Sequence, residues 1–199
     1  MLRIAVLCSG GGTNLQALLD AGLDAKIALV IASRPDAYAL VRAASRGIPA
    51  VCEPKKLYKT PGAYEDRLIS LINDFDIDLI VLAGFMIILD NRFTQAFEGR
   101  IINIHPSLIP DFCGKGFYGI KVHEAVLEAG VNITGATVHY VTEAVDGGPV
   151  ILQKTVAVRE GDTPLTLQKR VMEEAERIIL PQAVRLVCGE LTKRSKDNI

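Results

Sequence analysis

The first half of the chain alternates short apolar runs with segments whose apolar residues recur every three or four positions. The runs predict buried strands and the recurring pattern predicts helices. The predicted strands are Arg3–Leu7, Lys26–Ala32, Ile48–Cys52 and Leu79–Ala83, and the predicted helices start at Thr13 or Asn14 and cover Asp36–Arg46 and Ala63–Phe75. This alternation is typical of an α/β protein with an open, mostly parallel, doubly wound Rossmann-like sheet.

The second half has a different pattern. It predicts a strand over Arg100–Ile104, a helix over Ile120–Ala129, two half-exposed strands over Thr134–Val141 and Val150–Val156, and a long helix starting at Pro164. Pro181 is expected to end or kink that helix. Because no repeat or linker interrupts the chain, we expect one domain over residues 1–199, with one half at 1–100, a second at 101–189 and a short tail at 190–199.

The composition argues against several classes of protein. The net charge of −1, from 22 basic and 23 acidic residues, gives no electrostatic basis for binding nucleic acid or a membrane surface. Mean hydropathy is +0.27, but no apolar run approaches the ~20 residues of a membrane span, and the N-terminus does not resemble a signal peptide. Four scattered cysteines form no zinc motif and indicate a reducing cytoplasm.

The sequence "CSGGGTN", Cys8–Asn14, follows the first predicted strand and raises the question of a ligand. Glycines allow close backbone approach, and the N-terminus of the next helix attracts anions. A P-loop is excluded because no Gly-Lys-Ser/Thr is present, and Leu15 stands where a dinucleotide fingerprint needs its third glycine. A single phosphate monoester is the preferred ligand, and a tight turn without a ligand is the alternative.

Asn103 and His105 lie at the end of a predicted strand, where open α/β sheets bind their ligands. Their spacing places both side chains on one face of the strand. An amide beside an imidazole can polarise a carbonyl and hold an oxyanion, although loop backbone could equally satisfy both groups. His139 is expected to be buried within a strand, and His123 to be exposed on a helix.

Asp146 lies in the sequence "DGG", where two glycines allow the backbone to bend and turn a carboxylate inward, although such sequences more often form plain turns. A carboxylate that reached His105 would raise the pKa of the imidazole and create a general acid. Ser9 and Ser107 are alternative nucleophiles, but neither lies in a G-x-S-x-G elbow. Cys113 is a further candidate, as a loop thiol.

Three motifs together carry a resemblance. "GGGTN", "NIHPSLIP" and "TVHYV" followed by "DGGPVI" occur in order between residues 10 and 151. Over nearly the whole chain the sequence closely resembles the phosphoribosylglycinamide formyltransferase family of folate-dependent enzymes. The resemblance implies a formyltransferase fold with a phosphate-binding first half, a catalytic and folate-binding second half, and a cytoplasmic monomer or homodimer.

The resemblance also implies an activity in purine biosynthesis. The formyl group of 10-formyltetrahydrofolate, as co-substrate, would pass directly to the amine of 5-phosphoribosylglycinamide through a tetrahedral intermediate, without a metal or an acyl-enzyme. By position, the implied residues are catalytic Asn103, His105 and Asp146 with His139 in support, phosphate-binding Gly12, Thr13 and Asn14, ribose-binding Glu176, and folate-binding Met86, Ile87, Ile88, Leu89, Asn103, Thr142, Glu143, Ala144, Val145 and Asp146.

The chain departs from the family pattern at positions expected to contact folate. The sequence Lys59-Thr60-Pro61-Gly62 lacks an arginine that other members carry, and Lys59 is a candidate substitute. Ile87 replaces a second arginine, and the loop "DFCGKGFYG" lacks the basic, histidine-bearing sequence of some members. These changes affect binding more than chemistry.

Four alternatives remain at this point. Methionyl-tRNA formyltransferase would need a C-terminal RNA-binding domain and a different first turn. Formyltetrahydrofolate hydrolase normally carries an N-terminal regulatory domain, whereas the first strand here begins at Arg3. A nucleotide-binding module would not need Asn103, His105 and Asp146 together, and a dinucleotide reductase would need the missing fingerprint.

Overall fold

The computed structural model describes residues 1–197 and contains one seven-stranded sheet. The strands are β1 Leu2–Cys8, β2 Ala25–Ala32, β3 Ala50–Cys52, β4 Leu79–Leu82, β5 Ile101–His105, β6 Ile133–Tyr140 and β7 Val150–Ala157. Their order is β3-β2-β1-β4-β5-β6-β7; the first five strands in this order pair in parallel and the last two pairings are antiparallel. The predicted α/β class with an open, mostly parallel sheet is confirmed.

Helices cover both faces of the sheet. They are α1 Thr13–Asp20, α2 Tyr38–Ser45, α3 Pro61–Asp74, α4 Asn91–Ala96, α5 Ile120–Glu128, α6 Pro164–Val171 and α7 Arg177–Asp197. Along β1, Ile4 and Val6 pack into the core beneath α1, α2 and α7, whereas Ala5 and Leu7 pack against α3 and α4. Burial on both faces explains why the strands are continuous apolar runs. Among residues 1–197, no helix combines the length and apolar character that crossing a membrane requires.

Helix α1 begins directly after the glycine turn. Gly12 is its N-cap residue in the left-handed conformation, with φ +68° and no side-chain cap. Thr13, one of the two predicted starts, is the first helical residue, and the Gln16 side chain donates to Asp20 and accepts from Arg42 rather than capping the helix. The helix N-terminus thus remains uncapped by its own side chains.

The last helix continues through Pro181 and does not end there, so that part of the expectation is wrong. Leu180, Ala183, Val184 and Val187 are all buried on one face of α7. Packing of this face outweighs the loss of one backbone hydrogen bond, which costs about 3 kcal/mol in an isolated helix. The irregularity comes earlier, as a π-helical turn at Met172–Glu176 between α6 and α7.

Two further elements differ from the sequence pattern. The six-residue helix α4 was not predicted, because it is too short for an apolar period to be recognised. Strand β6 was expected to be half-exposed, but it is almost wholly buried because Ala136 and Val138 pack into the core on one face, while Thr137 on the other bonds to the loop after β5. The edge strand β7 is half-exposed as expected.

Candidate active site

A cavity of about 860 Å³ opens at the carboxyl ends of β1, β4 and β5, where open α/β sheets bind ligands. Its volume matches the range of small-molecule sites. The catalytic, supporting, phosphate-binding, ribose-binding and folate-binding residues implied by the resemblance all line this one cavity: Gly12, Thr13, Asn14, Met86, Ile87, Ile88, Leu89, Asn103, His105, His139, Thr142, Glu143, Ala144, Val145, Asp146 and Glu176. Residues that are far apart in the sequence therefore face a common space.

The glycine turn forms one end of the cavity. A Cβ atom at Gly12 would lie 2.8 Å from Cβ of Ala39, so only glycine allows α2 to approach this closely. Asn14 is buried, and its Nδ2 donates to Oε2 of Glu176 over 2.7 Å. The π-helical turn carries Glu176 to this position, where burial raises the pKa of its carboxyl group. A carboxyl and an amide thus meet beside the helix N-terminus.

The end of β5 carries the amide and the imidazole. Asn103 Nδ2 lies 3.2 Å from Nε2 of His139 on the neighbouring strand β6, and 3.5 Å from Oδ1 of Asp146. The Nδ1 atom of His139 bonds to the carbonyl of Tyr140 over 2.8 Å, which fixes the ring. His139 is buried within its strand, as expected, and borders the catalytic candidates.

Asp146 is turned inward by a strained backbone. It adopts φ +54°, which is uncommon for a residue other than glycine and occurs most often at functional sites. Its Oδ2 accepts from the N–H of Gly114 over 2.9 Å and lies 3.6 Å from Nδ1 of His105. Burial raises the pKa of Asp146, but the adjacent His139 and His105 rings and the Gly114 N–H outweigh burial and lower it. The side chain therefore stays ionised.

His105 does not have the raised pKa that the sequence predicted. Burial lowers the pKa of the imidazole, and neither Asp146 nor the carbonyl of Phe112 compensates for the lost solvation. The geometry nevertheless suits the charged ring, because Nε2 lies 2.9 Å from the Phe112 carbonyl while Nδ1 faces Asp146. Both ring nitrogens thus have an acceptor within reach, and a developing oxyanion would add a further stabilising charge.

The opposite wall of the cavity is apolar. Met86 and Ile88 project large exposed side chains from the loop after β4, and Val145 does so from the loop after β6. The Met86 N–H donates to Oγ of Ser9 over 2.9 Å, which anchors the loop after β4 to the end of β1. An apolar wall beside a few polar groups is typical of sites for small organic ligands.

His123 is buried, not exposed as the sequence suggested. It lies on α5 between the buried residues Val122 and Val126, a flanking pattern that could have indicated burial. Both ring nitrogens lack a hydrogen-bond partner within residues 1–197. Burial, and the adjacent His105, lower the pKa of His123 from 6.5 to about 4.

We predict that His123 makes the fold sensitive to acid. Between pH 6.5 and about 4 the unfolded chain binds more protons than the folded chain, so the free energy of unfolding falls as the pH falls through this range. The pKa difference corresponds to about 3 kcal/mol. H123L should show a weaker dependence in urea unfolding curves recorded from pH 7 to 4, with equal or higher stability at pH 7 because two unpaired polar atoms are removed. The matched variant E124Q, at an exposed site on the same helix, should follow the wild type, and an H123L curve as steep as the wild-type curve would refute the prediction.

Three basic residues that were not predicted from the sequence also line the cavity: Arg34, Lys115 and Lys121. Lys115 lies within the glycine-rich loop, Lys121 lies in the first turn of α5, and Nζ of Lys121 lies 4.8 Å from the centre of the Tyr118 ring. Their scattered positions gave no recognisable pattern. Lys59, the suggested substitute for a folate-binding arginine, is exposed and does not line the cavity.

The alternative nucleophiles are engaged elsewhere. Ser107 is buried and donates to the carbonyl of Asp111 over 2.6 Å, and the Ser9 hydroxyl lies 2.6 Å from that of Ser33. Burial raises the pKa of the Cys113 thiol, with Asp146 adding to the effect, so this thiol is less readily ionised. Within residues 1–197, no three His, Cys, Asp or Glu side chains are grouped as metal ligands.

A profile described as formyl transferase matches residues 2–184, most of the chain. The chain belongs to the formyl transferase family. This formyltransferase is 41% identical over 204 residues to phosphoribosylglycinamide formyltransferase of Haemophilus influenzae, with 100% of the chain and 92% of that relative covered. It is similar in structure to glycinamide ribonucleotide transformylase 1 from Symbiobacterium toebii, with a TM-score of 0.89 and 42% identity over 95% of this chain and 89% of the other.

The formyltransferase also matches part of a larger protein. It is 44% identical over 191 residues to the trifunctional purine biosynthetic protein adenosine-3 of Bos taurus, and the alignment covers 94% of the chain. The chain spans only 18% of the length of that relative.

Proposed function

We propose that this formyltransferase transfers the formyl group of 10-formyltetrahydrofolate to the amine of 5-phosphoribosylglycinamide, a step of purine biosynthesis. The observation that carries the proposal is a single cavity with a glycine turn at one end and Asn103, His105 and Asp146 at the other. The names of the Haemophilus influenzae and Symbiobacterium toebii relatives support the same acceptor.

The acceptor would bind along the glycine turn. Backbone N–H groups at Gly12, Thr13 and Asn14 would receive the 5-phosphate at the N-terminus of α1, whose dipole favours an anion. Glu176, held 2.7 Å from Asn14, would accept hydrogen bonds from the ribose hydroxyls. This orientation directs the glycinamide amine along the cavity towards the end of β5.

The formyl donor would occupy the other part of the cavity. The apolar Met86–Leu89 wall would contact the flat pterin, and the backbone of Thr142–Asp146 would offer hydrogen bonds to its polar edge. Gln95 on α4 donates to Oε1 of Glu143 over 2.6 Å, which fixes the loop between β6 and β7. The donor needs no covalent attachment to the chain.

The transfer would proceed through direct attack. The amine nitrogen bonds to the formyl carbon and gives a tetrahedral intermediate, whose oxyanion accepts hydrogen bonds from Asn103 and protonated His105. Asp146 and the developing oxyanion both favour the charged imidazole against the opposite effect of burial, while a water relays the proton from the attacking nitrogen to the leaving nitrogen of the folate. Collapse breaks the bond from carbon to that nitrogen and gives the formylated amide and tetrahydrofolate. No metal and no acyl-enzyme takes part.

The proposal also assigns a role to His139. His139 would act as a positioning residue, because it contacts both Asn103 and Asp146.

The sheet is continuous from β3 to β7, which supports one catalytic domain with a phosphate-binding half and a folate-binding half. The four cysteines are free thiols, which is compatible with a cytoplasmic location.

The test is formyl transfer by the purified protein. We expect absorbance to report tetrahydrofolate release from 10-formyltetrahydrofolate only when 5-phosphoribosylglycinamide is present. Release without the amine would indicate a hydrolase, and release with another amine alone would identify a different acceptor. Absence of release under all conditions would refute the proposed activity.

A further inference from the structure

Helix α2 contacts the back of the glycine turn through two hydrogen bonds. The N–H of Ala39 donates to the carbonyl of Gly10 over 3.2 Å, and Nε of Arg42 donates to the carbonyl of Gly11 over 2.9 Å. Two successive carbonyls of the turn are therefore fixed from the same helix, away from the catalytic end of the cavity.

These bonds determine where the turn's donors point. In a trans peptide the C=O and the following N–H point in opposite directions. Because the carbonyls of Gly10 and Gly11 face α2, the N–H groups of Gly11 and Gly12 point away from α2, on the side where the turn borders the cavity. Within residues 1–197, neither N–H donates to an acceptor. Both remain available to a ligand.

Arg42 also places a positive charge behind the turn. Its Nη1 donates to Oε1 of Gln16 in α1 over 2.9 Å, and its guanidinium carbon lies 5.0 Å from the centre of the Tyr38 ring. No carboxylate forms an ion pair with Arg42 within the described part of the chain. The neighbouring Arg46, in contrast, is paired with Asp20, and within the described residues its side chain donates no hydrogen bond to the turn.

We propose that Arg42 is a positioning residue for phosphate recognition, a role that rests on the proposed function. By holding the Gly11 carbonyl, it directs the Gly12 N–H into the cavity, and its charge polarises the peptide so that this N–H becomes a stronger donor to an anion. Its bond to Gln16 fixes the turn relative to the N-terminus of α1. Arg42 acts through the backbone and does not touch the reacting atoms.

The test compares R42M, R42K and the matched variant R46M, which removes the same charge from the same helix region. In R42M we expect the KM for 5-phosphoribosylglycinamide to rise about tenfold or more, the loss typical of a charge-assisted hydrogen bond. The kcat and the KM for 10-formyltetrahydrofolate should change less than about threefold. R42K, which keeps the charge, should lie between R42M and the wild type, and R46M should match the wild type.

Ribose 5-phosphate binding, measured by titration calorimetry at two salt concentrations, separates this proposal from the proposed activity. If the wild type transfers no formyl group but binds ribose 5-phosphate at least tenfold more tightly than R42M does, the activity fails and the role of Arg42 stands. Equal binding by R42M and wild type, or no binding by wild type, would overturn the role of Arg42. An equal rise in the KM of both substrates would do the same, because it would indicate general destabilisation.

Discussion

H105A is expected to reduce kcat for formyl transfer roughly 10³-fold, the range measured when a general acid or an oxyanion donor is removed. The reason is geometric: His105 presents one nitrogen to the Phe112 carbonyl and the other to Asp146, so the ring is held where it can stabilise negative charge. Steady-state kinetics with both substrates would measure the effect. Ribose 5-phosphate should bind H105A as it binds the wild type, because the glycine turn is unchanged.

D146N tests whether Asp146 affects the pKa of His105. Asp146 raises the pKa of His105 against the larger, opposite effect of burial, so removing the carboxylate should lower that pKa further. Titration of the His105 ring by NMR would measure the shift, and kcat should fall together with the population of charged ring. D111N, which removes an exposed acid from the nearby loop, is the control. An unchanged His105 pKa in D146N would contradict the coupling.

G12A is expected to lose phosphate affinity and stability together. The substitution forces alanine into φ +68° and places its Cβ 2.8 Å from Cβ and 2.9 Å from Cα of Ala39. The left-handed conformation costs about 1–2 kcal/mol and the overpacking about 1–3 kcal/mol more. Urea unfolding and ribose 5-phosphate titration would measure the two effects.

G22A is the matched control for this substitution. Gly22 also has positive φ, +58°, but a Cβ there would meet no atom within 4 Å. G22A should therefore lose only the conformational part, about 1–2 kcal/mol, and bind ribose 5-phosphate normally. Equal destabilisation of G12A and G22A would show that α2 yields to the added methyl group and that close packing is not required.

The parts of the site that could be predicted share one property: local sequence fixes them. The i, i+2 spacing of Asn103 and His105 places them on one face of a strand, and a strand end in an open α/β sheet borders a cleft. The glycine turn after β1 likewise indicated an anion, because glycine and a helix N-terminus suffice for that argument. The parallel strands were recognised because burial on both faces makes them continuously apolar.

The parts that were mistaken depend on neighbours distant in sequence. The charge state of His105 depends on how much water the folded loops exclude, and spacing does not report burial. His123 is buried because α5 packs into the core; the flanking Val122 and Val126 indicate the same face, but the packing itself comes from distant elements. The helix through Pro181 survives because packing of its apolar face outweighs a local preference.

Local sequence was enough to predict the seven strands, all helices except α4, the glycine turn and the amide–imidazole pair, because periodicity and backbone sterics act over a few residues. Tertiary structure alone decided that Asp146 reaches His105, that Glu176 meets Asn14 and that Arg42 fixes the turn from behind. These contacts join residues 31 to 162 positions apart. Side-chain distances across a fold are set by packing of whole elements, which no local pattern encodes.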